Sequence, residues 1–461
     1  MSRMRARFFL VSSLIVGLML ETTGPGWCGP PLPPPRSDAV SPTVHPRTNL
    51  KQAWQALHAS DPETALAIVE RVLSFDPGRT EALLLKAVVL RTLGRDADAL
   101  TAADAAVKGA PQNALAQRTL ASVLLDEQRA SEARQAAQRA VDIAPGNAAC
   151  QNILGMTLRA EASTPLPIGQ PTTEAQAERQ FARNSLLEDA IRAFQTACQE
   201  RPGFVDAWLD LGLTYADMGR ASQATRALQR ALSLDPNCAG AHVALGVLRL
   251  HQRDESGAER QFDDALRINP NLPAALVDLG SIRYRQHRTE EALKLAQHAL
   301  QFEAANAPAL VLRGTIRRDA GQYSDASQDL ELAVTVAPNN ASAHAALGTL
   351  LLDEGDAEHA CAELLKATWC GLDDAAVENN LGLTYKLLAQ YKRARVHFDK
   401  ALALAPASPE IHYNMAVMLS MAGDRAGAAE NFEAYLKLSP DAADAPQVRE
   451  RVQELLHPQT K

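Results

Sequence analysis

Proline returns along this chain at Pro77, Pro111 and Pro145, then at Pro202, Pro236 and Pro270, at Pro338, and finally at Pro406 and Pro440. The intervals are 34 residues or twice that, with a single one of 57. A fixed period of this length marks a stacked array, in which each repeat is one supersecondary unit that cannot bury its apolar face alone. Eleven frames of 34 positions, with the proline at position 32 and one 23-residue insertion, run from Pro46 to Ala442.

The other positions of the frame say what each unit is. Position 20 is alanine every time, from Ala65, Ala99 and Ala133 through Ala190, Ala224 and Ala258 to Ala394 and Ala428. Position 8 is always alanine or glycine, as in Ala53, Ala87, Gly155, Gly212, Gly246 and Gly382. A small residue on each of two antiparallel helices lets their backbones approach, with apolar side chains such as Leu211 with Leu228, or Leu381 with Phe398, filling the flanks. Position 15 often carries the glycine that ends a first helix (Gly94, Gly219, Gly321, Gly355, Gly423), and Asp76, Asp235 and Asn269 stand before the prolines that stop the second. Hydrophobic residues at 46% with aromatics at only 5% agree with an all-α chain.

The fourth frame is split. Ser163 to Thr173 holds Pro165, Pro167 and Pro171, which a helix interior does not accept, and the helical pattern resumes around Glu174. The insertion near 160–184 therefore reads as an exposed loop followed by a longer second helix, or as a dedicated docking loop. At the other end Val448, Val452, Leu455 and Leu456 mark one helical face in 443–461, the capping helix that a repeat array needs over its last apolar surface.

Taken together the positions resemble the tetratricopeptide repeat family. The fifth frame carries the pattern most fully, in Trp208, Leu211, Gly212, Tyr215, Ala224, Leu228, Ala231 and Pro236; the tenth repeats it in Leu381, Gly382, Tyr385, Ala394, Phe398, Ala401 and Pro406. The departures are Val69 and Val72 in the first frame, and Ala304 and Leu372 in place of the proline. The resemblance implies an all-α solenoid of about eleven helical hairpins forming a right-handed superhelix, whose first helices line a groove for extended peptides or partner helices. In that family positions 2, 5, 9, 12 and 13 face the groove, and the helix period places them on a common face. The candidates are then Leu209, Leu213, Val243, Val247, Val277 and Tyr284 as an apolar strip, and Asn379, Lys386 and Tyr413, with Asn380 and Asn414 adjacent, as a polar group whose amides are able to pair with a peptide backbone. The alternative is that the apolar members pack between frames and the asparagines stabilise turns. The family's two-carboxylate clamp of lysines and asparagines is not reproduced.

Chemistry finds little purchase in this pattern. There is no phosphate-cradling glycine loop, no zinc-spaced histidine pair and no nucleophile elbow, so no catalytic residue, cofactor or metal site is expected. His242, His344 and His412 recur at position 4 and read as repeat surface. The formal charge is -8, and no basic stripe with interleaved aromatics invites nucleic acid. Of the cysteines after Cys28, the odd set Cys150, Cys198, Cys238, Cys361 and Cys370 reads by default as buried thiols. Cys150 and Cys198 are the candidate disulfide, because the start of one helix and the end of the next lie side by side in an antiparallel hairpin.

The amino terminus reads as an address. Arg3, Arg5 and Arg7 precede an unbroken run from Phe8 to Leu20, followed by Glu21 and Gly24-Pro25-Gly26, the order of a secretory signal within 1–28. The run is short for a permanent membrane helix. Cys28 sits where a lipoprotein would carry its lipid, but Pro25 and Trp27 replace the leucine and small residue such a signal resembles. Residues 29–47, with Pro30-Pro31-Leu32-Pro33-Pro34-Pro35, favour an extended polyproline spacer. The expectation is an exported, non-enzymatic scaffold in the periplasm or outer envelope, with protein or peptide partners, membrane-associated ones among them; the alternative is a structural or regulatory subunit of an enzyme complex. Amino-terminal sequencing of the secreted protein should place its first residue between Gly24 and Pro30, and an intact Met1 or Ser2 would rule cleavage out.

Overall fold

The computed structural model describes residues 46–163 and 173–457. The expected export signal, nearly all of the proline-rich spacer, the loop of the insertion and the last four residues lie outside the described residues. Among the described residues there are 23 helices and no strand, so the all-α hairpin stack read from the period is the observed architecture.

The chain divides into two compact units between Pro270 and Asn271. The first holds six hairpins: Pro46–His58 with Pro62–Phe75, Thr80–Thr92 with Asp96–Gly109, Ala114–Asp126 with Ala130–Ile143, Ala148–Ala162 with Thr173–Glu200, Val205–Asp217 with Ala221–Leu234, and Ala239–His251 with Glu255–Ile268. The second holds five: Pro273–Arg285 with Thr289–Phe302, Ala307–Asp319 with Tyr323–Val336, Ala341–Asp353 with Ala357–Trp369, Ala375–Leu387 with Tyr391–Leu404, and Pro409–Met421 with Arg425–Leu438. A final helix, Ala445–Leu456, closes that unit, with Val448 and Val452 buried against Ala416 and Phe432 while Leu456 stays 46% exposed.

All eleven alanines of position 20 are fully buried. In six hairpins the partner of the position 8 glycine is not that alanine, however, but the large residue of position 24; a methyl group on the seventh, Gly280, would instead lie 2.8 Å from Leu312 of the next hairpin and 3.5 Å from the Ala292 carbonyl. A methyl group built on Gly212 would lie 2.6 Å from Leu228 Cγ, one on Gly246 2.5 Å from the Phe262 ring, and one on Gly382 2.7 Å from the Phe398 ring. Gly155 seats Phe194, Gly314 seats Leu330 and Gly348 seats Leu364 in the same way. Where position 24 shrinks to Ala103 or Ala137, position 8 carries an extra methyl as Ala87 or Ala121, whereas the seventh hairpin pairs Gly280 with Ala296 and the eleventh pairs Ala416 with Phe432.

The turns are built with equal regularity. Position 15 has positive φ in every hairpin but the fourth, whether it is glycine, as Gly94 at 72° and Gly219 at 70°, or not, as Gln128 at 59° and Ala389 at 55°. The left-handed residue ends the first helix, and glycine reaches it without steric cost. Between hairpins, position 4 reaches back to the carbonyl of the preceding proline: Gln151 Nε2 donates to Pro145 O at 2.9 Å, Trp208 Nε1 to Pro202 O at 3.0 Å, and His344 Nε2 to Pro338 O at 2.8 Å. His242 and His412 do the same to Pro236 and Pro406, so the recurrent histidines are braces of the turn. Their Nδ1 atoms face position 23 of their own hairpin, His344 meeting Glu363 at 2.6 Å, and that carboxylate holds the His344 pKa above its ordinary value. In the tenth hairpin the pair is inverted, Glu378 at position 4 accepting from His397 at position 23.

The fourth hairpin departs from the rest. Its first helix runs to Ala162 rather than ending near Arg159, and its second spans 28 residues, Thr173–Glu200, twice the usual length. Ala190 and Phe194 place the later half in the regular second-helix site, while residues 177–182 are exposed and Phe181 is 78% accessible.

Candidate functional site

Within each unit the first helix of one hairpin packs beside the first helix of the next, whereas second helices pack chiefly against first helices. The row of first helices is thus a continuous wall, and the residues that line it come from positions 5, 6, 9, 12 and 13.

Much of the polar chemistry on this wall is already used to join neighbouring hairpins. Position 12 of one hairpin pairs with position 13 of the next. Arg91 Nε donates to Asp126 at 2.5 Å across 35 residues, and Arg159 Nε to Asp217 at 2.6 Å across 58, which is 35 plus the insertion. In the second unit the Tyr284 hydroxyl donates to Asp319, burial together with that bond pushes the phenol up to about 12, and Arg318 approaches Asp353 at 3.6 Å. Positions 5 and 6 do likewise: Asn152 Nδ2 lies 3.5 Å from Asp210 in the first unit, and Asn414 Nδ2 donates to Asn379 Oδ1 at 3.1 Å in the second. Asn380 Nδ2 donates to Thr349 Oγ1 at 3.1 Å.

The sequence candidates fall into distinct settings. Leu209, Leu213, Val243 and Val247 are half-buried on the first unit's wall, with Leu209 packed over Gly240 of the following helix. Val277 is buried, and Tyr284 is engaged with Asp319. Asn379 is buried and Asn380 and Asn414 half-buried in the amide links just described. Tyr413 stacks edge-on against Phe432 and Tyr435, at 5.6 and 5.3 Å between ring centres. Lys386 is half-buried, and burial lowers its pKa. Beside it Leu387 and Met421, where the position 13 aspartates would stand, are 55% and 56% exposed.

The candidate disulfide is not formed. Cys150 and Cys198 are separate buried thiols, and burial pushes the Cys198 pKa up to about 12, far from the thiolate that oxidation needs. No group of three metal-ligating side chains stands together among the described residues, and no described helix is long and apolar enough to cross a membrane.

Residues that sequence reasoning passed over are Arg91, Asp126, Asn152, Arg159, Asp210 and Asp217. Their signal was present: an arginine and an aspartate 35 residues apart, one position further on in the next frame. The links differ in weight. Arg91 and Asp126 are 2% and 11% exposed, so Asp126→Ala strands a buried guanidinium and should cost about 3–5 kcal/mol in urea denaturation followed by circular dichroism. Asp353→Ala removes a long contact to a 43% exposed carboxylate and should cost under about 1 kcal/mol. Equal losses would show that burial does not govern these bridges.

Models of the tetratricopeptide repeat match residues 56–123, 209–273 and 269–438, together more than half of the chain. No curated protein matches it in sequence. Among solved structures it is similar to one titled as the APC/C hetero-tetramer Cut9-Hcn1, with a TM-score of 0.51 and 13% identity over 89% of this chain and 96% of that one. At that identity the likeness is one of fold. Weaker similarity is found to pilF of Pseudomonas aeruginosa (TM-score 0.38, 24% identity, 45% of this chain and 94% of that one) and to yeast Tom70 (0.37, 13%, 89% and 95%). The matched repeats and the observed hairpin stack place the chain in the tetratricopeptide repeat family.

Proposed function

We propose that the chain is a non-enzymatic scaffold of the bacterial cell envelope, which holds peptides or partner helices along its wall of first helices and serves an assembly such as a pilus, secretion or polysaccharide-export machine. The family supports the scaffold part of this reading. The observation that carries the binding face is the half-buried strip Leu209, Leu213, Val243 and Val247, which projects from two successive first helices of one unit. Contiguous apolar surface of this kind usually has a partner. The envelope part rests on the charged and apolar order of residues 1–28.

Leu213 and Val247 are the members to change, because Leu209 also packs between hairpins. At a half-buried position water reaches a new carboxylate, so Leu213→Glu with Val247→Glu should leave helical content and melting nearly unchanged. Affinity capture from an envelope extract should return assembly proteins with the unchanged chain and lose them with the double variant. A large loss of helix or of melting temperature would mean that the strip is core. Capture of one stoichiometric enzyme instead would favour the regulatory-subunit reading.

A further inference from the structure

Two grooves lie between consecutive second helices of the first unit. One, of about 730 Å³, runs between Ala130–Ile143 and the later half of Thr173–Glu200; the other, of about 570 Å³, runs between that half and Ala221–Leu234. The first helix packed against both walls of each groove contributes its positions 4, 7 and 11: Gln151, Leu154 and Leu158 in one, Trp208, Leu211 and Tyr215 in the other. The second helices make this surface cationic. Positions 22 and 26 of the third to sixth hairpins hold five arginines, Arg139, Arg192, Arg226, Arg230 and Arg260, against Asp264 alone, although acids outnumber lysines and arginines 54 to 46 over the whole chain. In the first groove Arg134 is ion-paired with Glu161 and Arg192 with Asp189; in the second Arg230 reaches only Ser233, at 3.4 Å. Arg139 and Arg226 are exposed and have no hydrogen-bond or ion-pair partner among the described residues, and the same holds for the side-chain amides of Gln135, Gln199 and Gln223 in these linings.

We infer that these grooves bind an extended acidic peptide segment of a partner protein, with its carboxylates on Arg139 and Arg226, its backbone on the free glutamine amides and its apolar side chains against Leu154 and Trp208. Charge sets the preference, because a guanidinium meets a carboxylate through charge-assisted hydrogen bonds and repels a lysine-rich segment. The amides set the form. A glutamine side chain both donates and accepts, so it pairs with an extended backbone whatever that backbone's sequence. A nucleic acid strand or an anionic membrane offers closely spaced phosphates, whereas here each groove presents one free guanidinium among those of its lining, the helix Thr173–Glu200 stands between the two, and the rest is amide and apolar. This surface is built by second helices and not by the wall of first helices, so the inference does not rest on the apolar strip.

Isothermal titration calorimetry on the full chain tests it with end-blocked peptides, in which only side chains carry charge. The first is two copies of Glu-Leu-Glu-Ser; the others replace every glutamate by glutamine, every glutamate by lysine, or every leucine by glutamate. The first peptide should bind saturably and at least tenfold more tightly than each of the other three. Arg139→Gln with Arg226→Gln should weaken it at least tenfold and leave circular dichroism unchanged, since both side chains are exposed and bond nothing. Arg71→Gln with Lys294→Gln removes the same charge from positions 26 and 22 outside the grooves and should leave the affinity as it was. No binding of the first peptide, equal binding of its glutamine form, or equal losses in the two double variants would each overturn the assignment. Tighter binding of the all-acidic peptide, of oligothymidine or of phosphatidylglycerol vesicles would show a surface that reads charge alone, and would overturn it as well. The peptides need no cellular partner, so this result stands apart from the capture experiment on Leu213 and Val247.

Discussion

Everything in this structure depends on how closely two antiparallel helices can cross inside one hairpin. The limit is set by a backbone without a side chain at position 8, into which the ring or branched side chain of position 24 seats, as Phe262 does on Gly246 and Leu228 on Gly212. Burying such a side chain is worth about 1.5–3 kcal/mol relative to leaving it exposed, and the contact is made in six of the eleven hairpins. Because a stacked array is held by each repeat and its neighbours, its stability is a sum of such local terms rather than the property of one large core. The fully buried alanine of position 20 belongs to the same constraint, since a larger residue there would lift the second helix away.

Polar groups are distributed around this apolar seam according to which gap they can bridge. On the turns, position 4 donors reach the carbonyl of a proline six residues earlier, and thereby satisfy a backbone acceptor that the end of the second helix leaves open. On the wall of first helices, arginines, asparagines and aspartates join one hairpin to the next. This has a functional consequence. A side chain committed to Asp126 or Asn379 is not available to a partner, so binding capacity is left where the links lapse: the apolar strip at Leu213 and Val247, and the exposed Leu387 and Met421.

The stack was legible in the sequence because a period repeats eleven times and each repetition tests the last; a lone Gly212 would have said little, but Gly212, Gly246 and Gly382 in one register specify a crossing. The contacts within that register were less legible. Position 8 had to be matched with position 24 rather than 20, which needs the side-chain volumes of both to be compared. His242, His344 and His412 were visible as a recurrence, yet their partner is a main-chain oxygen that carries no side-chain signature. Asn379 and Asn414 looked open to a peptide because each was viewed within its own frame, whereas they bond across frames. Gln128 and Ala389 take the left-handed turn without the glycine that announces it. Leu456 shares a helical face with buried neighbours but extends past the surface they cover.

The crossing itself is tested most directly by hydrogen exchange on Gly212→Leu. Leucine is the better helix former, so by propensity alone the change would stabilise Val205–Asp217. The added side chain must instead displace Leu228, and overpacking of this kind costs about 1–3 kcal/mol. Amide protection should fall in the fifth hairpin and in the fourth and sixth beside it, while Thr80–Thr92 and its partner helix keep theirs. Unchanged protection in Val205–Asp217, or a loss spread evenly from the first hairpin to the sixth, would contradict a structure held together by local crossings.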